Sequence, residues 1–168
     1  MSGIFDLNGC KTRLKSIFDT ENTTTATYPL SNNMDNNVQL VSKCNPDLVF
    51  TQHTKFPSLH IYPESKTVNT DTIGKNMIDT SRKGLVRMNI MGVCQFYNIE
   101  NNFDDKGQKN VEILMENTEL ILRNNPDLQN FAGVRWVIPS DTQYGIAAFE
   151  EDAYFRVGVM SLDINIFY

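Results

Sequence analysis

Apolar positions along this chain repeat with two different periods, and the places where one gives way to the other mark out its elements. The clearest stretch is the last. Leu162, Ile164 and Ile166 alternate with Ser161, Asp163 and Asn165, the pattern of a strand with one buried face. Upstream, Phe155, Val157 and Val159 hold the opposite phase, so a bulge at Gly158 or burial of both faces is expected there. A strand this long is expected inside a sheet rather than trailing from it. A second strand is expected over 85–97. Val86, Met88 and Ile90 alternate with Arg87 and Asn89, then Met91, Val93, Cys94 and Phe96 make both sides apolar, with a bulge or bend expected at Gly92. A third lies within 47–62, where Leu59 and Ile61 alternate with Ser58, His60 and Tyr62. Pro57 and Pro63 are expected to bracket it, because proline cannot donate to an interior ladder. His60 then stands on the face away from Leu59 and Ile61, as a solvent-facing or interface residue. A fourth strand, 134–138 with Trp136, is expected to end at Pro139, and 140–152 reads as a loop leading back to the terminal strand.

The helical period appears twice. In 3–18, Ile4, Leu7, Leu14 and Phe18 share one face, Lys11 and Lys15 point to solvent, and Ser2 is the expected N-cap. In 109–124, Val111, Leu114, Met115, Thr118 and Leu122 form a stripe broadened by Ile113 and Ile121, with Glu112, Glu116 and Glu119 on the other side. Asn125 and Pro126 stop that helix. Between the elements lie polar connections. Residues 19–47 carry Thr23 to Thr25, Pro29 and the pairs Asn32–Asn33 and Asn36–Asn37, with a short apolar stretch at 38–41 suited to a small strand or docking patch. Residues 64–84 mix both charge signs around an isolated Gly74, which is no phosphate-binding loop. Together these features predict an α+β fold in one domain spanning 1–168. It has a mostly antiparallel four-stranded sheet, two main helices packed on it, an extended arm over 19–47 and a long loop over 64–84.

Composition narrows the function more by exclusion than by choice. With 168 residues and 40% hydrophobic positions, the chain can bury an ordinary core. A net charge of −5 argues against a general nucleic-acid coat, whose affinity comes from neutralising phosphates. Cys10, Cys44 and Cys94 are far apart and are accompanied only by His53 and His60, so buried reduced thiols are expected rather than a zinc site. No triad or nucleophile elbow is recognisable, and no cofactor or metal is expected. The opening residues have neither the charged nor the apolar region of a signal peptide, and no apolar run reaches the ~20 residues of a membrane span. An origin in the cytoplasm is expected.

The order of elements adds a resemblance. Four features carry it: the strand Phe56-Pro57-Ser58-Leu59-His60-Ile61-Tyr62 after an opening helix; the long strand of 84–97 leading directly to the helix of 109–124; Asn125-Pro126-Asp127-Leu128 just past that helix; and a final hairpin whose last strand, 157–168, closes the chain. This order resembles that of the tail terminator proteins of long-tailed bacteriophages and the related minor tail and neck-ring proteins. The longer segments 19–47 and 64–84 depart from it. The resemblance implies a structural virion protein of the neck or tail, made in the host cytoplasm. Its subunits close into a homo-oligomeric ring contacting other neck, portal or tail proteins. DNA passes through the lumen without specific binding, and no membrane is involved.

Within such a ring, 19–47 is the candidate subunit clasp through Asn32, Asn33, Met34, Asn36 and Asn37. The segment 64–84 is the candidate lumen or stacking loop through Lys66, Asp71, Lys75, Asp79, Arg82 and Lys83. Deleting 31–37 is then expected to weaken oligomerisation and leave the monomer folded. The other reading is a small monomeric adaptor or binding module without catalysis, which predicts a monomer and an exposed apolar groove.

Overall fold

A computed structural model describes residues 5–44, 55–69, 83–97, 106–150 and 153–167. The chain opens with helix α1, Leu7–Glu21. Its cap is Asp6, whose carboxylate accepts from the Gly9 N–H at 2.8 Å, so the helix begins later than the apolar pattern alone implied. Cys10, Leu14, Ile17 and Phe18 form its buried stripe. The other helix, α2 at Lys106–Arg123, buries Val111, Leu114, Met115, Ile121 and Leu122. Thr118 is buried there too, its hydroxyl satisfied by the Leu114 carbonyl at 2.8 Å.

The strands are β1 (Leu40–Ser42), β2 (Ser58–Asn69), β3 (Lys83–Tyr97), β4 (Val134–Glu150) and β5 (Ala153–Phe167). They form one open sheet in the order β1-β2-β3-β5-β4, antiparallel except for the β1–β2 pair. The expected α+β class holds, but among the described residues the sheet has five strands rather than four, because Leu40–Ser42 joins it at the edge. The terminal strand is interior as expected, lying between β3 and β4.

Both helices cover one face. Leu59, Ile61, Val86, Met88, Ile90, Leu162, Ile164 and Ile166 join the helical residues in a single core. On the other face, Val93, Phe155 and Val157 make a second, smaller buried cluster with Phe56, Met91 and Val159 packed against it. This cluster resolves the phase change in β3 and β5. The β3–β5 ladder runs without a shift from Lys83↔Phe167 to Tyr97↔Ala153, so burial of both faces, not a bulge at Gly158 or Gly92, explains the pattern. Gly92 and Gly158 are cross-strand partners. Methyl groups there would stand 2.8 Å from the Met115 sulfur and 2.6 Å from Met115 Cγ, so the bare backbone admits α2 closely to the sheet.

Three further expectations are corrected. Pro63 does not end β2; it pairs with Met88 inside the strand, beside a register shift between Pro63 and Ser65, where a ladder tolerates proline. Residues 64–69 and 83–84 are therefore strand, and the long connection shrinks to 70–82. Residues 140–150 are not a loop. They continue β4, whose register slips at Pro139/Thr142 and Ile146/Phe149. Each slip reverses the side-chain phase, and this hides the strand from a period-two reading.

Candidate functional site

The expected clasp residues occupy a folded connection between α1 and β1. Leu30 and Val38 anchor it in the core, and Tyr28 and Met34 pack against it. Its main chain is bound at several points: Leu30 N–H to the Glu21 carbonyl at 2.8 Å, Val38 N–H to Ser31 Oγ at 2.8 Å, and Asn22 Nδ2 to the Val38 carbonyl at 3.0 Å. From α2, Asn117 Nδ2 donates to the carbonyls of Leu30 and Asn32 at 3.0 and 2.9 Å, and Asn110 exchanges two hydrogen bonds with Asp35. The segment is thus fixed to its own subunit rather than extended as an arm. Asn32, Asn33, Asn36 and Asn37 remain exposed, while Met34 is half-buried. Asn33 adopts a left-handed conformation, φ 61°, which asparagine tolerates better than most residues.

The candidate lumen loop divides. Lys66 lies in β2 on the helical face, with its ammonium 5.8 Å from the centre of the Phe5 ring. Lys83 begins β3, opposite Asn69 and Phe167. Both stand at the base of the hairpin. Asp71, Lys75, Asp79 and Arg82 lie outside the described residues.

His60 is on the face away from Leu59 and Ile61, as the alternation requires, but it is only 4% exposed. Its Nε2 is 3.0 Å from Ser58 Oγ, itself buried. Burial pushes the imidazole below its ordinary range, and the Cys44 main chain acts more weakly in the opposite sense. It is therefore not the solvent-facing or interface residue expected, because the second face of the sheet is buried at this end. The cysteines also divide. Burial pushes the Cys10 and Cys94 thiols up to about 12, Asp6 adding to the effect at Cys10, whereas Cys44 is exposed.

The most conspicuous surface was not visible in the sequence. β4 is an edge strand. Among the described residues, four of the six exposed large hydrophobic side chains belong to it: Trp136, Ile138, Tyr144 and Ile146, between 38% (Trp136) and 50% (Ile138) exposed. The Arg135 guanidinium stacks over Trp136 at 4.3 Å from the ring centre. At the start of the edge, the Val137 N–H is taken by the Pro126 carbonyl at 2.7 Å. That bond shows Val137 facing away from β5, and the register puts Pro139, Thr142, Tyr144 and Ile146 in the same outward phase. Proline there forfeits no ladder bond, while the main chain from Thr142 to Ile146 is open to a further strand. Beside it stands α2. Its Met115 meets the Tyr144 ring over Gly158, and burial raises the Tyr144 phenol above its ordinary range, with Glu112, Glu116 and Glu119 on one side of the helix raising it further.

On the face away from the helices, a polar recess of about 380 Å³ is lined by Glu64, Arg87, Asn89, Ser140, Asp141 and Gln143. Within it, Arg87 forks onto Asp163 of the neighbouring strand at 2.8 and 3.4 Å. Among the described residues, no three His, Cys, Asp or Glu side chains converge to hold a metal ion, and no helix is long and apolar enough to cross a membrane. Neither a protein-family model nor any curated protein sequence matches the chain.

Proposed function

We propose that this chain is a structural, ring-forming subunit of a bacteriophage neck or tail, in the manner of a tail terminator or head-to-tail connector. One observation supports the reading above the others. A long edge strand carries exposed Trp136, Ile138, Tyr144 and Ile146 and leaves its outer main chain open from Thr142 to Ile146. An edge of this kind is an aggregation hazard in a free monomer and a ready contact in an assembly. The element order, which resembles that of tail terminators, accords with it. So does the acidic balance of −5, because a lumen of that sign lets DNA pass without holding it. Asn32, Asn33, Asn36 and Asn37, together with the segment 70–82, are further candidate contacts with neighbouring subunits or with portal and tail proteins.

The second reading, a monomeric adaptor, draws on a different feature from the apolar groove expected of it: the recess around Arg87 and Asp141 is polar and suits a polar segment of another protein. Negative-stain imaging of the purified protein separates the two. Closed rings support the structural reading, whereas uniform small particles at every concentration favour the adaptor.

A further inference from the structure

The two edges of the sheet differ in a way that specifies how copies would join. Asn110 and Asn117 on one side of α2 hold the 30–38 segment, while Glu112, Glu116 and Glu119, spaced along the other side, line the flank towards β4, where Met115 and Tyr144 meet over Gly158. Lys109 and Arg123 stand only at the two ends of that side, and Arg123 is already paired with Glu119. Along the opposite edge lies α1, packed over β1 and β2. Lys43, just past β1, reaches Thr12 of α1 at 2.9 Å. Lys11 and Lys15, one turn apart, flank Thr12 on the helix surface, with Asp19 the acid paired to Lys15. One edge of the sheet is therefore flanked by carboxylates and the other by ammonium groups, in the same helical layer.

The main chain is open at both edges. The Gln39 N–H bonds the Pro57 carbonyl, so odd-numbered residues of β1 face β2, and Leu40 and Ser42 present theirs outward. Thr142, Tyr144 and Ile146 do so on β4. Joining two β4 edges would set the Glu112–Glu119 stripes of two copies side by side, which like charges oppose. Joining β4 to β1 keeps both helical layers on one side of a continuous sheet and brings α2 of one copy against α1 of the next.

We propose that copies of this chain associate head to tail: the β4 edge of one meets the β1 edge of the next, and Glu112 and Glu116 face Lys11 and Lys43 across the seam. The inference rests on the ring reading and deepens it, because a heterologous contact of this kind closes into a ring or extends as a filament. Augmentation of an edge by a strand supplies affinity, and the flanking charges supply orientation.

Charge reversal from each side tests it by sedimentation. Glu112→Lys with Glu116→Lys, and separately Lys11→Glu with Lys43→Glu, should each weaken association at least about tenfold. The fourfold variant should recover most of that loss. Circular dichroism checks that each variant folds. Should one not, carbodiimide coupling of a mixture of isotopically labelled and unlabelled unmodified protein decides instead. Mixed-isotope links joining Lys11 or Lys43 to Glu112 or Glu116 are expected. Unchanged association of both one-sided variants, no recovery in the fourfold variant, or mixed links confined to other residues overturns this interface and leaves the ring reading standing. An unmodified protein that stays monomeric overturns both.

Discussion

The closeness of α2 to the sheet depends on two glycines, and Gly158 is the sharper test. A methyl group placed there would stand 2.6 Å from Met115 Cγ and 3.1 Å from Tyr144 Cε1. Met115 is itself buried, and the clash is with its inner carbon rather than its mobile end, so the helix or the strand must move. Overpacking of this kind costs about 1–3 kcal/mol, offset by about 0.5–1 kcal/mol from the restricted unfolded chain, so Gly158→Ala should destabilise by about 0–2.5 kcal/mol, centred on about 1 kcal/mol. Met115→Ala removes the clashing carbon and should cost about 2–5 kcal/mol alone, through the cavity it leaves. In the double variant the new methyl occupies part of that cavity, so the two costs should sum to about 1–2 kcal/mol less than additivity requires. Gly145→Ala is the internal control. Nothing lies within 4 Å of a methyl at that position, so it should be neutral or slightly stabilising. Equilibrium urea unfolding at one fixed protein concentration, followed by circular dichroism, reads all four. A Gly158→Ala variant as mild as Gly145→Ala, or strictly additive costs, would refute the close-approach account.

Other predictions follow from the same geometry. His60 is held below its unfolded value, so the unfolded state binds a proton first as pH falls below about 6.5. Stability should therefore decline on acidification from that point until the folded imidazole titrates, and His60→Gln should lose that part of the slope in urea titrations run across pH 5–8. Asn117→Ala leaves the Leu30 and Asn32 carbonyls without their donor and should cost about 1–3 kcal/mol, with faster amide exchange in 30–38 than elsewhere. In native protein a thiol reagent at pH 8 should titrate Cys44 quickly and reach Cys10 and Cys94 only on unfolding, because burial holds those two protonated. Three equivalents reacting at once would contradict their burial.

Much of the fold was legible where one physical rule acts alone. The stripe Val111, Leu114, Met115, Leu122 gave α2, and the alternation Leu162, Ile164, Ile166 gave β5. Where two rules compete, the pattern misleads. Alternation put His60 on the correct face, but nothing local says that this face is covered at its Phe155 end. The second half of β4 carries Pro139, Ser140, Asp141 and Gly145, all turn-forming residues, and its two register slips erase the alternation that would have revealed it. An edge strand tolerates such residues because only one side of it bonds to a neighbour. The β4 surface was for that reason the least legible part of the chain. Asp6 had a readable signal as a helix cap, but Ile4 drew the expected start of α1 too early.

Assembly of copies of this chain is the proposal on which the ring and its seam both depend. The most direct test is its native mass across a concentration series, set against the 19.2 kDa of one chain. A discrete species is expected at a single multiple of that mass, well above a dimer, that persists on dilution and dissociates when the β4 edge is blocked by Tyr144→Pro. A 19.2 kDa species alone, from the lowest concentration to the highest, would contradict it.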